Sequence, residues 1–153
     1  MDRDRIATPG TLRVLIVDDT PETQDILRHM VTIAGGTVIA TLNDGSQAEE
    51  LIRHHPVDVV LLDYQMPGWS GITTAQHLHV QWPTLPLVMI TVLADPVTRQ
   101  AAFDAGITQF LGKPVTVDEI RAVLHTYDRT TAAHITPDEW TQWLRPFESE
   151  ETP

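Results

Sequence analysis

Cysteine is absent from the 153-residue chain, so disulfides and thiolate metal sites are excluded. No apolar run approaches the roughly 18 residues of a membrane-spanning helix, and the first residues lack the apolar core of a signal peptide. The chain also lacks a P-loop and a Gly-x-Gly-x-x-Gly motif, which argues against nucleotide-dependent chemistry. We therefore expect a cytoplasmic protein that does not enter a membrane.

Positive charge is scarce as well. Ten basic residues face 21 acidic ones, which gives a formal charge of −11 without any basic cluster. Direct binding to nucleic acid by this chain is therefore not expected. The acidity itself is explained by solubility.

Lysine occurs once, as Lys113 in the dipeptide Lys113–Pro114, and the other nine basic residues are arginine. An ammonium is a compact point charge on a flexible stem, whereas a guanidinium is a wide planar fork. The exception indicates that this position needs an ammonium.

Apolar runs and helical patterns alternate between residues 12 and 127. The runs, rich in β-branched residues, lie at 12–17, 37–42, 57–62, 86–91 and 108–112. Helical patterns begin at Thr20-Pro21, near Ser46, near Gly71, at Asp95-Pro96 and at the capping box Thr116–Glu119. Five strands alternating with five helices predict an α/β domain with a doubly wound parallel sheet and helices on both faces.

The ends of the chain differ from this domain. Residues 1–11 are interpreted as a polar tail and residues 128–135 as a linker. A short amphipathic helix is predicted next, because Trp140, Trp143, Leu144 and Phe147 recur at helical spacing, and an acidic tail follows it. This C-terminal extension either folds back onto the domain or serves as a docking or dimerisation helix.

Charged and hydroxyl residues lie at the carboxyl ends of four of the predicted strands, namely Asp18, Asp19, Asp63, Thr91 and Lys113. Ligands of such sheets bind outside the carboxyl ends of the strands. Clustered carboxylates need a counter-charge, and oxygen ligands suit Mg²⁺. A carboxylate can also accept a phosphoryl group. The ammonium, the Thr91 hydroxyl and a backbone N–H beside it would then neutralise phosphoryl oxygens.

These residues resemble a known family. The acidic pair, the stretch from Leu61 to Gly71 with Asp63 before Met-Pro, the Ile90-Thr91 strand end and the Phe110–Pro114 segment match the receiver domain of two-component response regulators, the CheY-like domains. The resemblance covers roughly residues 12–127. It implies a flavodoxin-like fold with strand order 2-1-3-4-5.

The resemblance also implies roles for single residues. Asp63 is expected to take phosphate from a phosphohistidine, while Asp19, Asp63 and the Gln65 carbonyl bind Mg²⁺ and Asp18 assists through water. Thr91, Val92 and Lys113 are expected to bind the phosphoryl group. Thr91 and Phe110 are the expected switch pair, and Pro114 is expected to follow a cis peptide bond. Trp69 is expected to be exposed near the site.

The implied function is a phosphorylation-dependent switch of a protein-interaction surface, without turnover of a separate substrate. The implied partners are a sensor histidine kinase or phosphotransfer protein and a downstream protein. The oligomeric state stays open, with a homodimer as one alternative. Two other functions also stay open: an aspartyl-phosphate hydrolase or mutase on a related α/β fold, and a scaffold receiver that is never phosphorylated. Gln65 argues against the former, since those enzymes place a general acid two residues after the nucleophile.

Overall fold

The computed structural model of the chain describes residues 11–92 and 95–127. Its five strands are β1 (Arg13–Val17), β2 (Thr37–Leu42), β3 (Val59–Asp63), β4 (Leu87–Thr91) and β5 (Gln109–Gly112). Its α-helices are α1 (Pro21–Ile33), α2 (Ala48–His54), α3 (Gly71–Gln81), α4 (Pro96–Asp104) and α5 (Val117–Tyr127). The predictions for residues 1–10 and for the C-terminal extension lie outside the described residues.

All strand pairs are parallel, and the sheet order is β2-β1-β3-β4-β5. The predicted doubly wound architecture and strand order are therefore confirmed. In this order the first and third strands are neighbours at the centre of the sheet. The residues that follow them consequently meet at one edge, where the chain reverses its winding direction.

Two apolar layers hold the helices against the sheet. Alternate residues of the central strands, such as Leu15 and Leu62, pack towards α2, α3 and α4. Their chain neighbours, such as Ile16 and Leu61, pack towards α1 and α5. All four side chains are 0–1 % exposed. Burial on both faces explains why these strands are near-continuous apolar runs, and each such side chain contributes roughly 1.5–3 kcal/mol.

Local capping explains where the helices begin. The capping box at the start of α5 is present, because Thr116 N donates to Glu119 Oε1 at 2.9 Å and Glu119 N donates to Thr116 Oγ1 at 3.2 Å. The Asp95 carboxylate caps α4 by accepting from Thr98 N at 2.8 Å. Before α2 the chain first makes one 3₁₀ turn, Gly45–Gln47, so this helix begins slightly later than predicted.

Strand β3 is shifted relative to the predicted run of residues 57–62. It begins later because the Asp58 carboxylate is occupied by Arg13, whose backbone N and Nε donate to Oδ2 at 2.8 and 2.9 Å. It ends later because Asp63 still pairs with Ile90 of β4. The shift places Asp63 on the last residue of a strand, so its backbone position is fixed by the sheet.

No helix within the described ranges combines the length and apolar character needed to cross a bilayer.

Candidate functional site

Three aspartates meet at the carboxyl ends of β1 and β3. Asp18 and Asp19 follow β1, Asp63 ends β3, and one carboxylate oxygen from each lies within 4.8 Å of the others. Asp18 and Asp63 are only 1 % and 7 % exposed. The Asp18 side chain is oriented by Thr20, whose backbone N donates to Oδ1 at 2.9 Å. The sheet thus brings together the carboxylates that the sequence predicted to be neighbours.

Lys113, the only lysine of the chain, brings its ammonium to this cluster. Its Nζ lies 3.2 Å from Asp63 Oδ1 and 3.6 Å from Asp18 Oδ2. Its backbone N donates to the Thr91 carbonyl at 3.1 Å, which ties the start of the β5–α5 loop to the end of β4. The Lys113–Pro114 peptide bond is cis. The lysine therefore lies between two carboxylates from neighbouring strands.

The charges of the cluster do not balance within these four residues, since one ammonium offsets only one of three carboxylates. Burial raises the pKa of Asp63, and the neighbouring Asp18 carboxylate raises it further. The ammonium of Lys113 and its hydrogen bond lower the same pKa, but the net direction is upward. The site therefore retains a demand for positive charge.

The donor set fits a hard divalent cation. All three side chains offer carboxylate oxygens, which Mg²⁺ prefers. Asp18 Oδ2 is buried and accepts no hydrogen bond from the described residues. A buried carboxylate oxygen without a donor is costly, and a cation or its bound water would satisfy it. The residues present thus suit Mg²⁺.

The loop between β3 and α3 follows the site closely. Gly71 N donates to the Tyr64 carbonyl at 2.8 Å, and a Cβ at Gly71 would collide with the backbone carbonyl of Asp63. Gly68 has a φ of +76°, which favours glycine. These two requirements explain the glycines of the matched motif. Gln65 lies on this loop and is exposed; the role of its backbone carbonyl as a ligand stays a prediction.

The remaining predicted site residues lie around the end of β4. Thr91 is 4 % exposed and pairs with Gly112 of β5, whereas Val92 is 66 % exposed. Phe110 is 5 % exposed and packs edge-on against Phe103 of α4, with ring centroids 5.4 Å apart. Its switch role stays a prediction.

Trp69 differs from its prediction. It is half-buried rather than exposed, because its ring stacks on the His77 ring of α3 with a centroid distance of 4.0 Å and an interplanar angle of 19°. Sequence reasoning missed this pair, since stacking between a loop and a helix depends on the loop path. The spacing of eight residues gives no signal of contact.

Replacing Asp63 with asparagine is expected to stabilise the metal-free protein at neutral pH. A carboxyl group whose pKa is raised in the folded state stabilises the fold at a pH below its unfolded pKa of 3.8. This stabilisation is lost as the pH rises through the folded pKa, because the ionised carboxylate is disfavoured in the folded site. Each tenfold difference in proton affinity is worth about 1.4 kcal/mol. Urea unfolding in EDTA should therefore show a gain in stability for Asp63→Asn at about pH 7, and this gain should shrink as the pH is lowered towards 3.8.

The control for this comparison is Asp104→Asn, which alters an exposed carboxylate at the end of α4. It should leave the pH dependence unchanged. A metal-free Asp63→Asn protein no more stable than the wild type at neutral pH would contradict the electrostatic description of the site.

Comparison with known proteins identifies the same fold and motif. The family model for the response regulator receiver domain matches residues 14–125. The chain is 36 % identical over 115 residues to the cyclic di-GMP phosphodiesterase response regulator RpfG of Xanthomonas campestris, covering 72 % of this chain and 30 % of that protein. It is 35 % identical over 120 residues to the transcriptional regulatory protein KdpE of Mycobacterium tuberculosis, covering 78 % of this chain and 52 % of that protein.

A solved structure supports the same assignment. The chemotaxis protein CheY4 of Vibrio cholerae superposes with a TM-score of 0.72 at 26 % identity, covering 76 % of this chain and 98 % of that one. The chain spans about half or less of the length of the two curated relatives. Both the fold and the matched segment agree with the resemblance seen in the sequence. The chain belongs to the response regulator receiver domain family.

Proposed function

We propose that Asp63 accepts a phosphoryl group from a phosphohistidine of a sensor histidine kinase or phosphotransfer protein, with Mg²⁺ bound at the aspartate cluster. The observation that carries this proposal is the position of its buried carboxylate, 3.2 Å from the only lysine of the chain and beside two further carboxylates. Asp63 is thus oriented by the sheet and flanked by the charges that phosphoryl transfer requires.

The reaction needs an ionised nucleophile. An Asp63 carboxylate oxygen attacks the phosphorus, the new P–O bond forms, and the P–N bond of the donor breaks with its electron pair passing to the imidazole. Asp19, Asp63 and the Gln65 carbonyl are the proposed Mg²⁺ ligands, and Asp18 acts through water. When bound, Mg²⁺ supplies positive charge against the carboxylates and a phosphoryl oxygen.

The product requires further donors. Lys113 Nζ already contacts Asp63 Oδ1, so it can follow the phosphoryl group once that oxygen is esterified. The Thr91 hydroxyl and the Val92 backbone N–H are the proposed donors to the other phosphoryl oxygens. Together they would offset the roughly two negative charges that the modification adds.

The signal is proposed to leave through the surface of α4, β5 and α5. Movement of the Thr91 hydroxyl towards the phosphoryl group would release space that Phe110 fills. Phe110 packs against Phe103, and the guanidinium of Arg99 lies 5.7 Å from its ring centroid. A shift of this ring would therefore displace the α4 side chains that contact it. A downstream protein, or a second copy of the chain, must bind the two states with different affinity for the switch to transmit a signal.

Two other functions receive less support. An aspartyl-phosphate hydrolase or mutase needs an acid two residues after the nucleophile, but Gln65 offers a neutral amide, so we expect phosphoacceptor chemistry without turnover of a separate substrate. A scaffold receiver would not need the intact acidic cluster and lysine. Incubation with acetyl phosphate and Mg²⁺ followed by a Phos-tag gel separates the phosphoacceptor from the scaffold receiver, because only a phosphorylated protein is shifted in mobility.

The output of the whole protein is a separate matter, because the curated relatives are longer than this chain. The phosphodiesterase and the transcriptional regulator named above are proteins of which the chain covers only 30 % and 52 %. We propose that the described domain itself acts through protein contacts, in the cytoplasm, and does not bind nucleic acid.

Replacing Val92 with alanine should accelerate phosphorylation by small donors. The position directly follows the proposed switch threonine, and its side chain is 66 % exposed. Truncating this branched side chain beside the proposed phosphoryl site should widen the access of small donors to Asp63, so we expect Val92→Ala to react faster with acetyl phosphate by about twofold or more. Equal initial rates for the two proteins at the same Mg²⁺ concentration would refute this steric effect.

A further inference from the structure

The stacked pair Trp69 and His77 connects the phosphorylation loop to α3. Trp69 lies six residues after Asp63, on the loop between β3 and α3, and its ring lies almost parallel to that of His77 at 4.0 Å. His77 lies in the second turn of α3. The contact therefore joins the C-terminal part of the β3–α3 loop to helix α3.

His77 lies beside α2. Its Nδ1 lies 3.6 Å from Glu49 Oε2. The same carboxylate oxygen accepts a hydrogen bond from Gln81 Nε2 at 2.8 Å, and Gln81 Oε1 accepts from Arg53 Nη2 at 3.0 Å. This chain of contacts, from Trp69 through His77 to Glu49, Gln81 and Arg53, links the loop to two helices.

The loop needs such an anchor. Gln65, Pro67 and Gly68 are exposed, so the middle of the loop gains little from packing. Met66 is 9 % exposed and joins the apolar core on one side. Trp69 provides the anchor on the other side of Gly68, whose backbone adopts a positive φ.

We propose that Trp69 and His77 are positioning residues, which hold the loop so that the Gln65 carbonyl is preorganised for the cation. The inference rests on the proposed Mg²⁺ site. A stacked aromatic pair contributes enough to change a coupled equilibrium about three- to tenfold. Loss of the stack should therefore weaken Mg²⁺ binding by this factor and leave the phosphorylation rate at saturating Mg²⁺ within about twofold of the wild type.

The test compares Trp69→Ala, His77→Ala and His77→Phe in the full chain. Isothermal titration calorimetry gives the Mg²⁺ dissociation constant, and amide hydrogen exchange of residues 65–70 reports loop order without metal. We expect both alanine variants to bind Mg²⁺ about three- to tenfold more weakly and to exchange faster in the loop. His77→Phe loses the Glu49 contact but keeps a flat ring that can stack on Trp69. It should therefore retain most of the Mg²⁺ affinity.

The matched control is His54→Ala, since His54 is an exposed histidine of α2 that pairs with Glu50 at 2.8 Å. His54→Ala should change neither the Mg²⁺ dissociation constant nor the amide exchange of residues 65–70. Wild-type Mg²⁺ affinity and loop exchange in Trp69→Ala would overturn the inference, and so would a His77→Phe protein as weak as His77→Ala. An affinity loss in the alanine variants together with an unphosphorylated wild type would instead overturn the proposed phosphoacceptor role alone. Thermal melts monitored by circular dichroism verify that each variant is folded.

Discussion

Asp63→Asn is expected to abolish phosphorylation by acetyl phosphate. The amide has the size of the carboxylate and can still contact Lys113, but it lacks the anionic oxygen that attacks phosphorus. The wild type should give a Mg²⁺-dependent shift on a Phos-tag gel, and the variant should give none. Because asparagine also removes a charge from a crowded anionic site, the variant should stay folded. The loss of phosphorylation can then be attributed to the missing nucleophile and not to unfolding.

Asp104→Asn is the matched control, since it makes the same change at an exposed carboxylate and should be phosphorylated at the wild-type rate. Size-exclusion chromatography of the wild type before and after phosphorylation then reports whether the two states differ in assembly. Retention of the full gel shift in Asp63→Asn would show that another residue accepts the phosphate, and the proposed role of Asp63 would be wrong.

The second large effect is expected at Asp19. Replacing it with alanine removes one proposed ligand of the cation without touching the nucleophile or Lys113. Loss of residues that only support a metal ligand typically costs 10–100-fold in affinity, so loss of a ligand should cost about 100-fold or more. The Mg²⁺ concentration for half-maximal phosphorylation should rise by this factor, and calorimetry should show the same loss in binding.

Asp18 and Asp25 provide comparisons for this experiment. Asp18→Asn should have a smaller effect, about tenfold, because its proposed contact with the cation passes through water. Asp25→Asn changes an exposed carboxylate on α1 and should have none. If Asp19→Ala and Asp25→Asn behaved alike, the acidic cluster would not be the metal site.

Most of the fold follows from the sequence because each central strand is buried on both faces. Double burial requires near-continuous apolar runs, and the strand order then brings the residues at the carboxyl ends of β1, β3, β4 and β5 to one edge of the sheet. The proximity of Asp18, Asp63 and Lys113 could therefore be predicted from their positions in the sequence, because the ends of the strands fix their backbone positions.

Contacts between a loop and a helix could not be predicted in the same way. The stack of Trp69 on His77 depends on a backbone path that turns at Gly68 and on the rotamers of two rings, and no periodic pattern encodes either. The exact ends of β3 were also missed. Its start depends on the ion pair between Arg13 and Asp58, which forms across 45 residues of sequence, and its end depends on the pairing of Asp63 with Ile90 of β4; neither contact leaves a local signal.

The central claim is that a cation and the lysine jointly stabilise a phosphoryl group on Asp63, and it is tested most directly by a crystal structure with Mg²⁺ and beryllofluoride. We predict beryllofluoride on an Asp63 oxygen, Mg²⁺ contacting Asp19, Asp63 and the Gln65 carbonyl, and Lys113 Nζ within hydrogen-bonding distance of a fluoride. An empty pocket under these conditions, or a Lys113 ammonium directed into bulk solvent, would contradict the account.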